Sequence, residues 1–398
     1  CRAALPAPTH TAAAADRAAT GGARGALAQV PREPPPPMSW RRRLRIAITA
    51  VCACSCAARR GEAFVRSAGR PPGCNATPKE VSLLTMCHCR EPWLSQMRRV
   101  EDSANIGPRR VFIDVGCNTG THAVRFLEMW GTPTWAGLVP KWQKAVTDIT
   151  RIADYCIVYG IDKVQVQWPP AAADPTVVCV EPMAANSRVI ADVRAAFIQS
   201  NDSFVHIKAA VADKSGTALF PALGAGEERS SFSVVSLLPR SRTDRVNVTT
   251  VDDIVARLRT SLGEVQVDVL TIDTEGFDPD VLWGAASTLR AVRFLVFEVQ
   301  QQLAGSAWAS TSLQSVVAYL DALGLDCYWA GNDSTLQRIT GCWSAAEEAK
   351  LHPIVWSNVA CVRRGDVWHD VLQRFVAPLT ARRGRWWTAW WARNGPWP

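Results

Sequence analysis

From residue 109 onward, short apolar runs alternate with stretches in which apolar residues recur at helical spacing. The apolar runs predict five buried strands, at residues 111–115, 177–180, 204–212, 267–272 and 294–297. The helical spacing predicts helices at residues 121–130, 184–199 and 279–286. Buried strands that alternate with helices indicate an α/β fold, with a mostly parallel central sheet covered by helices on both faces.

Two stretches interrupt this alternation. Residues 131–175 separate the first helix from the second strand and are predicted to be an insertion. Residues 213–250 contain several glycines and a serine-rich run, which predict a hairpin or a lid-like excursion. Later in the chain, the pattern predicts a helix at residues 313–323 and closing strands at 327–329 and 359–362.

The net charge of +8 is concentrated at the two ends of the chain. Residues 1–70 carry 12 Arg against 3 acidic residues, and residues 371–398 carry 5 Arg and no acidic residue. The remaining residues hold 27 basic and 33 acidic side chains, so the predicted domain is mildly acidic. A basic face of the kind that binds nucleic acid is therefore not expected.

The regions outside the regular pattern divide into four predicted segments. Residues 1–37 begin with Cys and are rich in Ala, Pro and Gly, so we expect a low-complexity segment or a spurious extension of the gene. Residues 38–63 combine a run of Arg with a short apolar stretch, which predicts a signal peptide or, less well, a signal anchor that associates with a membrane. A Cys-containing linker at 64–108 leads to the domain at 109–370, and an Arg/Trp-rich tail follows at 371–398.

Cysteine usage and four Asn-x-Ser/Thr sites agree with a secretory leader. Disulfides are expected within two clusters of cysteines, Cys74/Cys87/Cys89 and Cys327/Cys342/Cys361. Three further cysteines are predicted to be buried thiols: Cys117, Cys156 and Cys179. We expect the protein in the lumen of the secretory pathway (endoplasmic reticulum or Golgi) or outside the cell, and a plastid stays open as an alternative.

A glycine-rich loop joins the first predicted strand to the first predicted helix. Gly116 and Gly120 let the backbone approach a ligand, and the helix N-terminus offers unpaired N–H groups. Asp114, at the carboxyl edge of the strand, could meet a cationic or hydroxylated ligand. Asn118 occupies the place of the second glycine in the dinucleotide-binding pattern, which argues against an NAD-type oxidoreductase.

Acidic residues follow two further predicted strands. Glu181 ends the second strand, where a carboxylate can bind both hydroxyls of a ribose. Asp273 and Glu275 follow the fourth strand, and strand alternation would put both on the same side. A carboxylate there could act as general base, orient an acceptor hydroxyl or ligate a divalent ion.

Three other polar residues are secondary candidates. Asp213 follows the third strand and could approach an adenine amino group. His122 lies in the first turn after the loop, within reach of cofactor or acceptor. Glu298 ends the fifth strand and could contact the acceptor.

Taken together, these motifs resemble those of FkbM-type methyltransferases. The resemblance covers roughly residues 110–300 and rests on five segments in order: 114–120, 180–182, 210–216, 251–254 and 272–276. One departure is Thr271, because the family commonly has Lys just before the Ile-Asp segment. If that Lys orders the acidic turn or touches substrate, its role is lost or moved in this chain.

The resemblance implies a Rossmann-like class I methyltransferase fold and S-adenosylmethionine (SAM) as methyl donor. The residues expected to bind SAM are Asp114, Gly116, Asn118, Gly120, Glu181 and Asp213. Asp273 and Glu275 are the expected catalytic residues, and the acceptor is expected to be a hydroxyl on a glycan or a small metabolite. A catalytically silent binding protein with the same fold stays open, as does a requirement for a divalent metal.

Overall fold

The computed structural model describes residues 91–101, 109–152, 174–200, 202–227, 231–232, 235, 238–300, 305–330, 336–351 and 356–376. Several predicted features lie outside these residues. They are the leader at 38–63, the low-complexity segment before it, the first cysteine cluster, Cys156 and the Arg/Trp-rich tail beyond residue 376.

The helices and strands follow one another along the described chain. Their order is α1 Pro92–Val100, β1 Arg109–Val115, α2 Thr121–Trp130, α3 Leu138–Thr150, β2 Thr176–Val180, α4 Ala184–Phe197, β3 Phe204–Ile207, β4 Ala210–Val211, β5 Gly216–Pro221, β6 Thr243–Thr249, α5 Val251–Leu262, β7 Val265–Ile272, α6 Asp278–Trp283, β8 Phe294–Gln300, α7 Leu313–Ala322, β9 Leu325–Ala330, β10 Leu336–Arg338, α8 Ala345–Leu351, β11 Trp356–Arg363 and α9 Val367–Gln373.

The central sheet has the strand order β10-β9-β11-β8-β7-β1-β2-β3. Five neighbouring strands of this sheet are parallel to one another: β3, β2, β1, β7 and β8. Strand β11 pairs antiparallel with both β8 and β9. The chain runs outward from β1 to β3 and resumes on the other side of β1 with β7. In open α/β sheets, ligands bind at the carboxyl ends of the strands where the order reverses in this way. The strand order and helix placement confirm the expected Rossmann-like class I methyltransferase fold.

The strands are buried on both faces because each face carries its own apolar core. Ile113 and Leu270 belong to the core covered by α5, α6 and α7. Phe112 and Val269 belong to the opposite core, which is covered by α1, α2, α3, α4 and α9. This two-sided burial explains why the strands appear in the sequence as continuous apolar runs rather than as alternating patterns.

The predicted third strand, at residues 204–212, was only partly correct. Strand β3 ends at Ile207 and belongs to the central sheet, whereas Ala210–Val211 pairs with β6 in a separate sheet of order β4-β6-β5. The amide of Ala209 donates to the carbonyl oxygen of Ile207, so the chain turns between the two strands. An apolar run does not reveal such a turn. The hairpin predicted within residues 213–250 is confirmed by the antiparallel pair of β5 and β6.

Helix α1 lies within the stretch predicted to be a linker. It packs into the core through Trp93, Leu94 and Met97, all of which are buried. At its end, Glu101 accepts hydrogen bonds from Arg110 and Arg293. None of the helices in the described part of the chain is both long and apolar enough to cross a membrane.

Candidate functional site

The glycine turn after β1 lies against the end of β7. Gly116 has φ +82°, and a Cβ atom at this position would lie 1.7 Å from the backbone oxygen of Asp273. The amide of Gly116 donates to Val180 (2.9 Å), and the amide of Asp273 donates to Val115 (2.9 Å). The predicted cofactor loop and the predicted acidic turn are therefore in direct contact at the point where the strand order reverses.

The second half of the loop is supported by α3. Asn118 and Gly120 also have positive φ, of +49° and +82°. The indole nitrogen of Trp142 donates to the backbone oxygen of Thr119 (3.0 Å), and a Cβ atom on Gly120 would lie 3.2 Å from the Trp142 ring. Sequence reasoning missed Trp142, because nothing local connects a tryptophan in the predicted insertion with the loop.

A disulfide between Cys117 and Cys179 ties the loop to β2. The prediction of buried thiols was wrong for these two residues, although both are buried. Asp114 is the register partner of Cys179, so the pairing of β1 with β2 brings Cys179 next to the loop. Cysteines 62 residues apart give no local signal of such a bond.

The disulfide expected within the later cysteine cluster is confirmed. Cys327 and Cys361 form a disulfide and are directly opposite each other in the antiparallel pair of β9 and β11. Cys342 is also disulfide-bonded. The Cys327–Cys361 bond joins the closing strands β9 and β11, which lie beyond β8 from β1 in the strand order.

Glu181 connects the end of β2 with the loop. Its carboxylate accepts hydrogen bonds from the backbone amides of Asn118 (3.1 Å) and Met183 (2.8 Å). Burial raises the pKa of Glu181 to about 8, although the hydrogen bonds lower it in part. The residue expected to bind the ribose thus lies beside the loop expected to bind the rest of the cofactor.

Asp114 is held by the residue that stands where the family has Lys. The hydroxyl of Thr271 donates to Asp114 Oδ1 (2.7 Å) across the pair of β1 and β7. Asp114 Oδ2 is buried and has no hydrogen-bond partner in the described part of the chain. Thr271 therefore orients the carboxylate, and the second carboxylate oxygen is left for a ligand.

His122 lies between two carboxylates. Its Nδ1 is 3.4 Å from Asp114 Oδ1, and its Nε2 is 3.6 Å from Glu91 Oε2. Burial alone would lower the pKa of His122, but Asp114 and Glu91 raise it to about 9. Sequence reasoning missed Glu91, which precedes α1 in the stretch predicted to be a linker.

The acidic turn brings together the carboxyl ends of β7 and β8. Strand β7 ends at Ile272 and Glu275 has φ +54°, so regular strand alternation does not extend through Asp273 and Glu275. The charges of both residues raise the pKa of Glu298, after the larger effect of burial. Glu275 Oε2 accepts a hydrogen bond from the side-chain amide of Gln300 (3.0 Å). This bond fixes the carboxylate against the end of β8.

Two more carboxyl groups surround this turn. Asp278 Oδ1 accepts a hydrogen bond from the backbone amide of Glu298 (3.0 Å). Burial and the negative charge of Asp273 raise the pKa of Asp278 to about 7, and the same two causes raise the pKa of Glu298. Sequence reasoning missed Asp278, which resembles an ordinary helix-capping residue in the sequence.

Asp213 follows β4 of the separate three-stranded sheet. Its side chain is exposed and lies 3.4 Å from the Lys214 amine. Its charge raises the pKa of Asp280 on α6, after the larger effect of burial. A contact between Asp213 and adenine stays a prediction. Among the residues that the structure describes, no group of three or more His, Cys, Asp or Glu side chains could hold a metal ion.

Residues 167–326 match the family described as "Methyltransferase FkbM domain". This match confirms the resemblance drawn from the motifs over that part of the chain. The matched region includes Glu181, Asp273 and Glu275, and the loop at 114–120 precedes it.

One solved structure, that of methyltransferase FkbM from Methylobacillus flagellatus KT, is similar over 71% of this chain and 49% of its own chain, with 12% identity and a TM-score of 0.32. This chain thus spans about half the length of that protein. The fold assignment rests on the strand order of this chain. No curated protein matches the chain.

Proposed function

We propose that this protein is a SAM-dependent O-methyltransferase whose acceptor is a hydroxyl group on a glycan or a small metabolite. One observation carries the proposal: the Gly116 turn touches the backbone of Asp273. This contact puts the candidate cofactor loop beside a group of carboxyl side chains. A donor site and a site for proton removal would then share one position on the sheet edge.

The residues of the loop fit SAM. The unpartnered oxygen of Asp114 suits a positively charged amino group, and Glu181 lies where a ribose would meet the end of β2. A side chain at Gly116 would overlap the backbone of Asp273, so glycine there is what lets the loop lie against the acidic turn. When bound, SAM would supply an electrophilic methyl group.

The acidic turn would supply the protein's part of the chemistry. Methyl transfer to a hydroxyl requires a positioned acceptor and the removal of one proton. Asp273, next to the loop, would accept this proton. Glu275, held by Gln300, would orient the acceptor hydroxyl.

Two conservative variants test these roles. Asp273→Asn and Glu275→Gln should lose methyl transfer from labelled SAM while they keep the affinity for SAM that calorimetry measures. The transfer assay would use glycan and small-metabolite fractions of a cell extract as acceptors. Asp148→Asn, an exposed residue on α3, is the matched control and should retain both properties.

The outcomes separate the alternatives. If the unsubstituted protein binds neither SAM nor its demethylated product, the proposal fails. If it binds SAM but methylates nothing in either fraction, the silent binding protein is favoured. If Asp273→Asn and Glu275→Gln both transfer methyl groups normally, the roles assigned to the acidic turn are wrong.

We also propose that the protein works in the lumen of the secretory pathway. The two disulfides Cys117–Cys179 and Cys327–Cys361 support this location, because such bonds persist in oxidising compartments. Asn247, in an Asn-Val-Thr site, is exposed on β6. The full chain made in eukaryotic cells should therefore carry a glycan at Asn247, detected as a mass shift that Asn247→Gln removes. A chain without that glycan and with reduced cysteines would contradict the location.

A further inference from the structure

Three buried polar side chains extend from the acidic turn across one face of the sheet. Glu298 and Gln300 alternate to the same face of β8. Asn358 is directly opposite Glu298 in the antiparallel pair of β8 and β11, so it shares that face. We call these three residues the polar row. Their exposed fractions are 1%, 8% and 4%.

The polar row contains hydrogen-bonding atoms without partners. Glu298 Oε2, Gln300 Oε1 and both amide atoms of Asn358 are buried and make no hydrogen bond within the described part of the chain. Buried polar atoms in folded proteins are nearly always hydrogen-bonded, because leaving them unpaired is unfavourable. Packing alone would favour an apolar residue at Asn358, as it does at its neighbour Ala360 on the same face. The unpaired atoms therefore point to a bound ligand.

The polar row adjoins the proposed site of proton removal. Gln300 uses its amide nitrogen to hold Glu275, and the backbone of Glu298 is held by Asp278. Asp273 and Glu275 are partly exposed, so the acidic turn beside the polar row is open to solvent. A molecule whose hydroxyl lies beside Asp273 would have its neighbouring atoms next to the polar row.

The chemistry of these groups selects a class of ligand. Asn358 offers a donor and an acceptor, and Gln300 offers an acceptor, which together match hydroxyl groups that both donate and accept. No Lys or Arg among the described residues pairs with the polar row, which disfavours an anionic ligand. Burial and the negative charge of Asp273 raise the pKa of Glu298, which favours the neutral form of its side chain and disfavours a cationic ligand.

We infer that the polar row is the acceptor subsite and that it takes a neutral polyhydroxylated molecule, with a second hydroxyl next to the one that is methylated. This inference rests on the proposed methyltransferase function. It assigns Asn358 and Gln300 to acceptor recognition, with Glu298 between them.

The test compares two buried asparagines in the full chain. Asn358→Leu removes the unpaired amide, and Asn186→Leu removes an amide that accepts a hydrogen bond from the backbone of Gly226 (2.8 Å). Calorimetry would measure the binding of two neutral polyols, myo-inositol and methyl α-glucoside, and of the charged sugars glucosamine and glucuronate. SAM would be titrated separately into each protein, and urea unfolding would measure stability.

We expect the unsubstituted protein to bind a neutral polyol more tightly than either charged sugar. Asn358→Leu should weaken that binding about tenfold or more, with SAM affinity unchanged and a urea midpoint equal to or higher than that of the unsubstituted protein. Asn186→Leu should lower the urea midpoint, because its hydrogen bond contributes to the fold.

Four results would overturn the inference. Two concern Asn358→Leu: a urea midpoint as low as that of Asn186→Leu, or polyol binding as tight as that of the unsubstituted protein. The other two concern the unsubstituted protein: tighter binding of either charged sugar than of the neutral polyols, or no binding of neutral polyols up to their solubility. Failure of the unsubstituted protein to bind SAM would instead count against the proposed function, and the separate titration makes that case distinguishable.

Discussion

Replacing Gly116 by Ala tests whether the close contact between the loop and β7 is needed for the site. The new Cβ atom would lie 1.7 Å from the backbone oxygen of Asp273, which is too short for any real contact. Gly137 provides a matched control, because it has a similar φ of +74° and nothing lies within 4 Å of its Cβ position. Both substitutions carry the strain of a left-handed alanine, but only Gly116→Ala forces atoms to move.

The two effects can be separated in energy. Left-handed backbone costs a non-glycine residue about 1–2 kcal/mol, which is the whole effect expected for Gly137→Ala. At Gly116 the loop must also withdraw from β7, which weakens the bonds from Gly116 to Val180 and from Asp273 to Val115. Each of these two hydrogen bonds contributes about 1 kcal/mol to stability. Together with the cost of the left-handed backbone, their loss should lower the free energy of unfolding of Gly116→Ala by about 3–4 kcal/mol.

Urea unfolding of the two variants measures this difference, and SAM calorimetry measures its consequence for the site. Gly116→Ala should bind SAM at least about tenfold more weakly than Gly137→Ala, because the loop and Asp273 separate. If the two variants have the same urea midpoint and the same SAM affinity, the contact has no energetic importance and the reasoning is refuted.

Three further predictions concern the groups around the loop. The pKa of Glu181 is raised from 4.5 to about 8, so the stability it contributes is full below about pH 4.5 and is lost as the pH rises through about 8. Glu181→Gln should therefore flatten the fall of melting temperature over that range, and an unchanged slope would contradict the shift. Replacing Cys117 and Cys179 together by Ser should lower the free energy of unfolding by about 2–4 kcal/mol and reduce the further loss that dithiothreitol causes, because only the remaining disulfides, Cys327–Cys361 among them, can then be reduced. Urea titrations with and without dithiothreitol measure both effects, and an unchanged response to reductant would contradict a contribution from the Cys117–Cys179 bond. Thr271→Val removes the hydroxyl that donates to Asp114, so it should cost about 1–3 kcal/mol of unfolding free energy and weaken SAM binding in calorimetry, whereas unchanged values would show that Thr271 does not orient the carboxylate.

Much of the site could be predicted because its residues follow apolar runs directly. Asp114, Glu181 and Asp273 each come at or just after the end of a buried parallel strand, and such ends meet at one edge of the sheet. The loop between Gly116 and Gly120 was predictable for the same local reason. Its glycines have positive φ, a conformation that glycine adopts without strain.

The remaining residues of the site depend on contacts between distant parts of the chain. Trp142 reaches the loop from a helix within the predicted insertion, and Glu91 reaches His122 from a stretch that resembles a linker. Asn358 joins Glu298 because β11 runs antiparallel beside β8. No spacing rule in the sequence connects such residues.

By itself, the sequence determined the alternation of strands and helices after residue 109, the fold class and the position of the glycine loop. These follow from the period of apolar residues and from turn chemistry, which are properties of neighbouring residues. Only the tertiary structure decided that Cys117 and Cys179 are bonded, that Thr271 orients Asp114, and that a polar row continues the acidic turn across β11. The reason is physical: each of these contacts is set by which strands lie side by side and in what register, and a side chain does not encode its partner across the sheet.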